Sequence, residues 1–97
     1  LVALTRSAAL ELAPDGIRCN AVLPGALRTR MLLEGLTRRG VNEGLEDLAA
    51  RTPLGRVAEP EEVVPTVIHL ADGHRSGFLT GQAIAIDGGA TLRLGTE

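Results

Sequence analysis

The sequence predicts an α/β fold: part of a doubly wound parallel sheet. Three observations lead there. Patterns alternate along the 97 residues as helix, strand, irregular stretch with short helices, helix, strand. The first strand candidate is apolar on both faces, which suits a parallel sheet covered on both sides. A chain of this length buries only about 60–65% of its unfolded surface, too little to cover two parallel strands by itself.

Residues 1–13, Leu-Val-Ala-Leu-Thr-Arg-Ser-Ala-Ala-Leu-Glu-Leu-Ala, read as helix because Ala and Leu dominate them. Only Arg6 and Glu11 mark a polar edge, and a helix so nearly apolar all round is normally buried in a larger body. Leu1 opens the chain inside this apolar run without a cap, so the expectation is a chain cut within a helix. Pro14-Asp15-Gly16 stops it. Ile17 to Leu23 follows as a strand, with Ile17, Cys19, Ala21 and Leu23 on one face and Val22 on the other. Pro24-Gly25 ends it.

From Ala26 to Gly55 the pattern is irregular. Met31–Arg38 and Leu45–Arg51 carry short helical patterns, and Gly40-Val41-Asn42-Glu43-Gly44 reads as a flexible break between them. Such a long excursion with small helices is a usual form of a lid. Glu59-Pro60-Glu61-Glu62 is a helix start, since proline fits the first turn and carboxylates favour the helix dipole there. Val63, Val64, Val67, Ile68 and Ala71 then share a face, with a kink expected at Pro65. Residues 72–77 read as a loop, Gln82–Ile86 as a short strand and Asp87-Gly88-Gly89 as the turn closing it.

Composition excludes whole classes. A net charge of −2 argues against a nucleic-acid binder that works by charge. Cys19 is alone, so neither a disulfide framework nor a Cys-based zinc finger is available. No apolar run approaches the ~20 residues of a membrane span, and no signal-peptide pattern opens the chain; the cytoplasm is the default expectation. There is no Tyr, no Trp and, since all ten basic residues are Arg, no Lys. A mechanism using a Lys amine or a Tyr phenol is therefore closed to these residues acting alone.

Several segments resemble the short-chain dehydrogenase/reductase family. Residues 18–29, Arg-Cys-Asn-Ala-Val-Leu-Pro-Gly-Ala-Leu-Arg-Thr, look like its strand followed by Pro-Gly, with a Thr four residues after the Gly. Pro53-Leu54-Gly55-Arg56-Val57-Ala58-Glu59-Pro60-Glu61-Glu62-Val63 looks like its Gly-Arg…Pro-Glu segment. Thr80-Gly81-Gln82, then Ile86-Asp87-Gly88-Gly89, looks like its last strand, and Leu1–Gly16 like the second half of its active-site helix. The 3-oxoacyl-carrier-protein reductase-like branch is a plausible subgroup.

The resemblance implies residues 1–97 as the C-terminal part of a single NAD(P)-binding Rossmann-type domain, with 26–55 as a substrate-lid excursion. It implies hydride transfer between the nicotinamide of NAD or NADP and a small carbonyl or alcohol substrate, and a homo-oligomer (dimer or tetramer) at full length. Pro24, Gly25, Leu27 and Thr29 would line the nicotinamide end: Leu27 through backbone groups to the carboxamide, Thr29 through its hydroxyl. Gly25, lacking a side chain, would let a flat ring approach. The plain alternative is a strand-ending turn. Met31, Leu32 and Leu36, with Leu33, would form the lid, or simply the packed face of a short helix.

The family's Tyr-x-x-x-Lys, its Ser and its Gly-rich phosphate loop have no counterpart here, so no catalytic residue is assigned and the chain alone is expected to be inactive. A second reading is a non-catalytic module that associates with full-length subunits through its last strand and helices. Arg28, Arg30, Arg38 and Arg39 could attract an anionic substrate, although a solvated arginine face is the simpler expectation. His69, Asp72 and His74 lack a fourth ligand, and no metal ligand is assigned.

Overall fold

The computed structural model describes residues 1–37 and 40–93. Helix α1 spans Val2–Leu12 and tightens into a 3₁₀ turn at Ala13–Asp15. Gly16 ends it at φ 72°, a left-handed conformation that a side chain would disfavour.

Strand β1 is Ala21–Pro24, shorter than the seven residues the alternation suggests. Side chains replace the ladder just before it. The Cys19 N–H donates to the Thr80 hydroxyl at 3.1 Å, the Asn20 amide donates to Leu79 O at 2.9 Å, and Asn20 Oδ1 accepts from the Gln82 N–H at 3.0 Å. Strand β2 is Ala83–Ile86 and pairs with β1. The register is parallel: Gly81 N–H bonds Cys19 O, Ala21 N–H bonds Gln82 O, and Gly25 N–H bonds Ile86 O, so both strands advance together.

Helices α2 (Arg30–Gly35) and α3 (Val41–Ala50) occupy the irregular stretch. The expected break at residues 40–44 is instead the cap and first turn of α3. Gly44 is buried there because a Cβ would lie 2.5 Å from Leu36 Cδ2; its lack of a side chain serves close packing, not flexibility. Arg38, the end of the first helical pattern, and Arg39 lie outside the described residues.

The helix expected from Glu59 onward is divided. Pro60–Glu62 forms a 3₁₀ turn and α4 begins at Val64. Pro65 has no N–H to bond Glu61 O and its ring would clash there, so the α-helix restarts with Pro65 in its first turn, where it is tolerated. Gly73–Ser76, expected as loop, is a short helix α5 capped by Asp72, whose carboxylate accepts from the His74 N–H at 2.9 Å. Ala90–Leu92 closes the described chain as a 3₁₀ turn.

The chain forms two compact units, residues Leu1–Leu23 with Val64–Ala85, and Pro24–Val63 with the segment from Ile86 on. In the first, Arg18 reaches Ser76 O at 3.0 Å, its hydroxyl at 3.2 Å and Leu79 O at 3.3 Å, and the buried Ser76 hydroxyl donates to His69 O at 2.7 Å. Leu4, Leu10, Val67, Ile68 and Phe78 of this unit stay exposed, so the apolar faces of α1 and α4 are not covered by these residues. In the second, Leu36 is the buried apolar side chain among the described residues. Among the described residues no helix is long and apolar enough to cross a membrane.

Candidate functional site

The site grows from the end of β1. Pro24 is its last residue and is exposed. Gly25 follows, held by its N–H to Ile86 O at 3.0 Å. A Cβ on Gly25 would sit 2.8 Å from both Cα and Cβ of Asp87. The reason for glycine here is therefore that Asp87 fills the space a side chain would take. Gly25 also lines the groove beside this turn, on which the expected approach of a flat ring depends.

Beyond Gly25 the chain makes one parallel bridge, Leu27 with Ala58. Arg28 N–H donates to Ala58 O at 2.7 Å, and Ala58 N–H to Ala26 O at 3.1 Å. In such a bridge the central residue's own N–H and C=O point away from the partner strand. The Leu27 carbonyl accepts from the Thr29 N–H at 2.7 Å, which leaves its N–H as the donor on that side. Thr29 caps α2: its hydroxyl oxygen accepts from the Leu32 N–H at 3.2 Å. The hydroxyl proton remains to be donated elsewhere.

A groove of ≈ 470 Å³ opens beside this turn, lined by Gly25, Ala26, Leu27, Thr29, Met31, Leu32, Gly35 and Leu36. It brings together every residue singled out from the sequence for cofactor or lid except Pro24 and Leu33. Met31 is 83% exposed, so its thioether overhangs the groove without packing into a core.

The sequence reading missed a second group behind the bridge. Arg56 grips Glu62 with both terminal nitrogens, Nη1 to Oε2 at 2.8 Å and Nη2 to Oε1 at 2.6 Å. The same Oε2 accepts from the Glu59 N–H at 2.7 Å. Its place at a helix start suggests only a charge favouring the helix dipole; the Glu-x-x-Glu spacing ahead of an apolar run is the local signal for its bond back to Glu59. The Arg56 hydrogen bond, then the Glu59 N–H, bring the Glu62 carboxyl down to about 2 from the usual 4.5. Arg56 is shifted upward by the same hydrogen bond. A hollow of ≈ 160 Å³ lies alongside, lined by Arg56, Glu62, Thr52, Asp87 and others.

Asp87 closes its turn as expected. It accepts from the Thr91 hydroxyl at 2.7 Å, the Gly89 N–H at 2.9 Å and the Thr91 N–H at 3.1 Å, and these bonds lower its pKa. Arg30 pairs with Glu34 at 2.9 Å and Arg28 is exposed, in keeping with a solvated arginine face. Asp72 caps α5 and meets Arg75 at 3.5 Å; among the described residues no three His, Cys, Asp or Glu side chains are placed to hold a metal ion.

A parallel α/β pairing that ends at a Pro-Gly turn beside an apolar groove accords with the family that the comparisons show. The family model described as enoyl-(acyl carrier protein) reductase matches residues 1–91, and the chain belongs to the short-chain dehydrogenase/reductase family. It is 38% identical over 94 residues to an L-rhamnose 1-dehydrogenase (NAD(P)(+)) of Azotobacter vinelandii, covering 97% of this chain and 35% of that protein. It is 46% identical over 89 residues to a tropinone reductase homolog of Arabidopsis thaliana, covering 92% and 32%. The crystal structure of a short-chain dehydrogenase family protein from Francisella tularensis superposes with a TM-score of 0.85 at 34% identity, covering 95% of this chain and 40% of that one. The fold is thus part of the Rossmann type. The chain spans about a third of the length of the curated relatives it matches.

Proposed function

We propose that this chain supplies the nicotinamide end of an NAD(P) site, and the substrate cover beside it, in an oxidoreductase acting on a carbonyl or alcohol. The observation that carries the reading is the single groove uniting Gly25, Leu27 and Thr29 with Met31, Leu32 and Leu36. It lies at the carboxyl end of a parallel strand, where open α/β sheets receive ligands. The residues fit a nicotinamide: an outward amide N–H at Leu27, a hydroxyl proton at Thr29 and an apolar wall for the ring. When bound, the dinucleotide supplies the hydride position. Leu27 and Thr29 bind and orient the carboxamide, while Met31, Leu32 and Leu36 exclude water from the substrate side.

Thr29 contributes orientation more than affinity, since a net hydrogen bond of ~0.5–1.5 kcal/mol is worth about 2- to 13-fold in binding. Proton transfer is worth far more, ~10²–10⁴ in rate, and the Tyr and Lys that the family resemblance assigns to it are not among these residues. The proposal therefore gives the 97 residues cofactor contacts without turnover. An NAD(P)H absorbance assay on the purified chain with a panel of ketones and alcohols checks this; turnover above the buffer blank refutes it. A ¹H–¹⁵N titration with nicotinamide mononucleotide tests the groove directly, with the Leu27 amide expected to move and an unmoved one counting against the site.

A second reading is a non-catalytic module that joins full-length subunits. The exposure of Leu4, Leu10, Val67, Ile68 and Phe78 favours it. Light scattering after size exclusion, with and without a full-length family member, distinguishes the two: a chain that stays monomeric in both runs excludes the module.

A further inference from the structure

Glu62 sits at the centre of a clasp around Ala58. On one side its carboxylate holds the Arg56 guanidinium in a two-point fork; on the other it holds the Glu59 N–H at 2.7 Å. Residues 56 and 59 bracket Ala58, so the peptide between them has both flanks tied to one side chain. Ala58 in turn is the partner of Leu27, bonded on either side through Arg28 N–H and Ala26 O. The chain of contact runs from a charged fork to a short backbone segment and from there to the Leu27 peptide at the groove. The lowered pKa of Glu62 agrees with a carboxylate whose oxygens are engaged by donors.

We propose that Glu62 is a positioning residue for the nicotinamide contact: acting through Arg56 and the Glu59 N–H, it fixes Ala58, which fixes the direction of the Leu27 N–H. This rests on the cofactor reading given above. Glu62 does not line the groove and touches no ligand there. Its effect is to reduce the freedom of one amide donor, and preorganisation of a donor appears as affinity and not as a new contact.

The test uses the full 97-residue chain, labelled with ¹⁵N, in three forms: wild type, E62A and E61A. Glu61 carries the same charge one residue away, outside the fork. Two readouts are taken: amide hydrogen exchange at Arg28 and Ala58, and the dissociation constant for nicotinamide mononucleotide from the Leu27 shift. E62A is expected to speed exchange at both amides about 3- to 10-fold, the range an exposed ion pair with a backbone bond allows, and to weaken the mononucleotide about 2- to 5-fold. E61A is expected to leave both unchanged. E62Q, which keeps an acceptor for Glu59 but loses the charged fork, should fall between wild type and E62A. Faster exchange with unaltered binding overturns the positioning role, as does unaltered exchange. A wild-type chain whose Leu27 resonance ignores the mononucleotide refutes the cofactor reading itself and the positioning role with it.

Discussion

Replacing Gly25 by Ala separates two explanations of the Pro-Gly turn. The added methyl would be placed 2.8 Å from two carbon atoms of Asp87, one of them backbone. Carbon atoms rest at about 3.5–4.0 Å, so the two chains must part by about 0.7–1.2 Å. The neighbouring bond from Gly25 N–H to Ile86 O, now 3.0 Å, would then stretch out of hydrogen-bonding range. Overpacking costs about 1–3 kcal/mol and the lost bond about 0.5–1.5, together about 1.5–4.5 kcal/mol. Gly25 is not among the positive-φ glycines, so backbone strain adds nothing. The assay is urea unfolding followed by circular dichroism, since the chain has no Trp or Tyr to report by fluorescence. With a slope near 1–1.5 kcal/mol per M, the midpoint should drop by about 1 M or more. Gly35→Ala is the control: no atom lies within 4 Å of its Cβ position, and Ala in helix α2 should gain about 0.5–1 kcal/mol. A Gly25→Ala chain as stable as wild type that fails to bind nicotinamide mononucleotide would refute the packing account and restore the open space for a ring.

Other outcomes follow from the same contacts. Ser76→Ala should destabilise the fold by about 1–3 kcal/mol, because the hydroxyl bonds His69 O and receives Arg18 in a buried place; thermal unfolding measures it. Thr29→Ala removes the α2 cap and should cost about 0.5–2 kcal/mol in helix stability, seen as faster amide exchange at Leu32 and Leu33. Acid should open the Arg56–Glu62 fork. The folded-state pKa lies below the ordinary value, so the stabilisation is present above about 4.5 and is lost as pH falls through about 2. A carboxyl ¹³C titration of Glu62 should find its midpoint near that lower value, and a midpoint near 4.5 would show the fork absent in solution.

What could be read from the sequence was local. Pro14-Asp15-Gly16 and Pro24-Gly25 end their elements because turn chemistry acts over a few residues. The parallel pairing was legible because Val22 and its neighbours are apolar on both faces. The misses share one physical cause: side-chain contacts between elements, which propensity and periodicity do not register. Gly44 looks flexible until Leu36 is placed against it. Glu62 looks like a solvated first-turn charge until Arg56 arrives from the preceding loop. The packing reason for Gly25 stays hidden until Asp87, sixty-two positions on, takes the place of its side chain. The start of β1 was overestimated because periodicity does not register the Asn20 and Thr80 side-chain bonds that replace the ladder. Most residues named from the motif lie on the candidate groove, while the group behind it has no local signature, since nothing in composition links residues 58 and 27.

The seating of Leu36 against Gly44 also governs how the groove could breathe. Leu36 is 9% exposed where it closes α2, and Gly44 lies in the first turn of α3. An outward excursion of α2 alone would wet that leucine, unfavourable by roughly 1.5–3 kcal/mol. Such an excursion would be about ten- to a hundredfold rarer than one that keeps the leucine dry. Moving α2 and α3 together is therefore the less costly displacement, and the Thr29 bond to the Leu32 N–H and the Thr52 bond to Leu48 O, both local to these helices, would travel with them. Entry and exit of anything held beside Leu27 would keep time with that pair, not with a single loop.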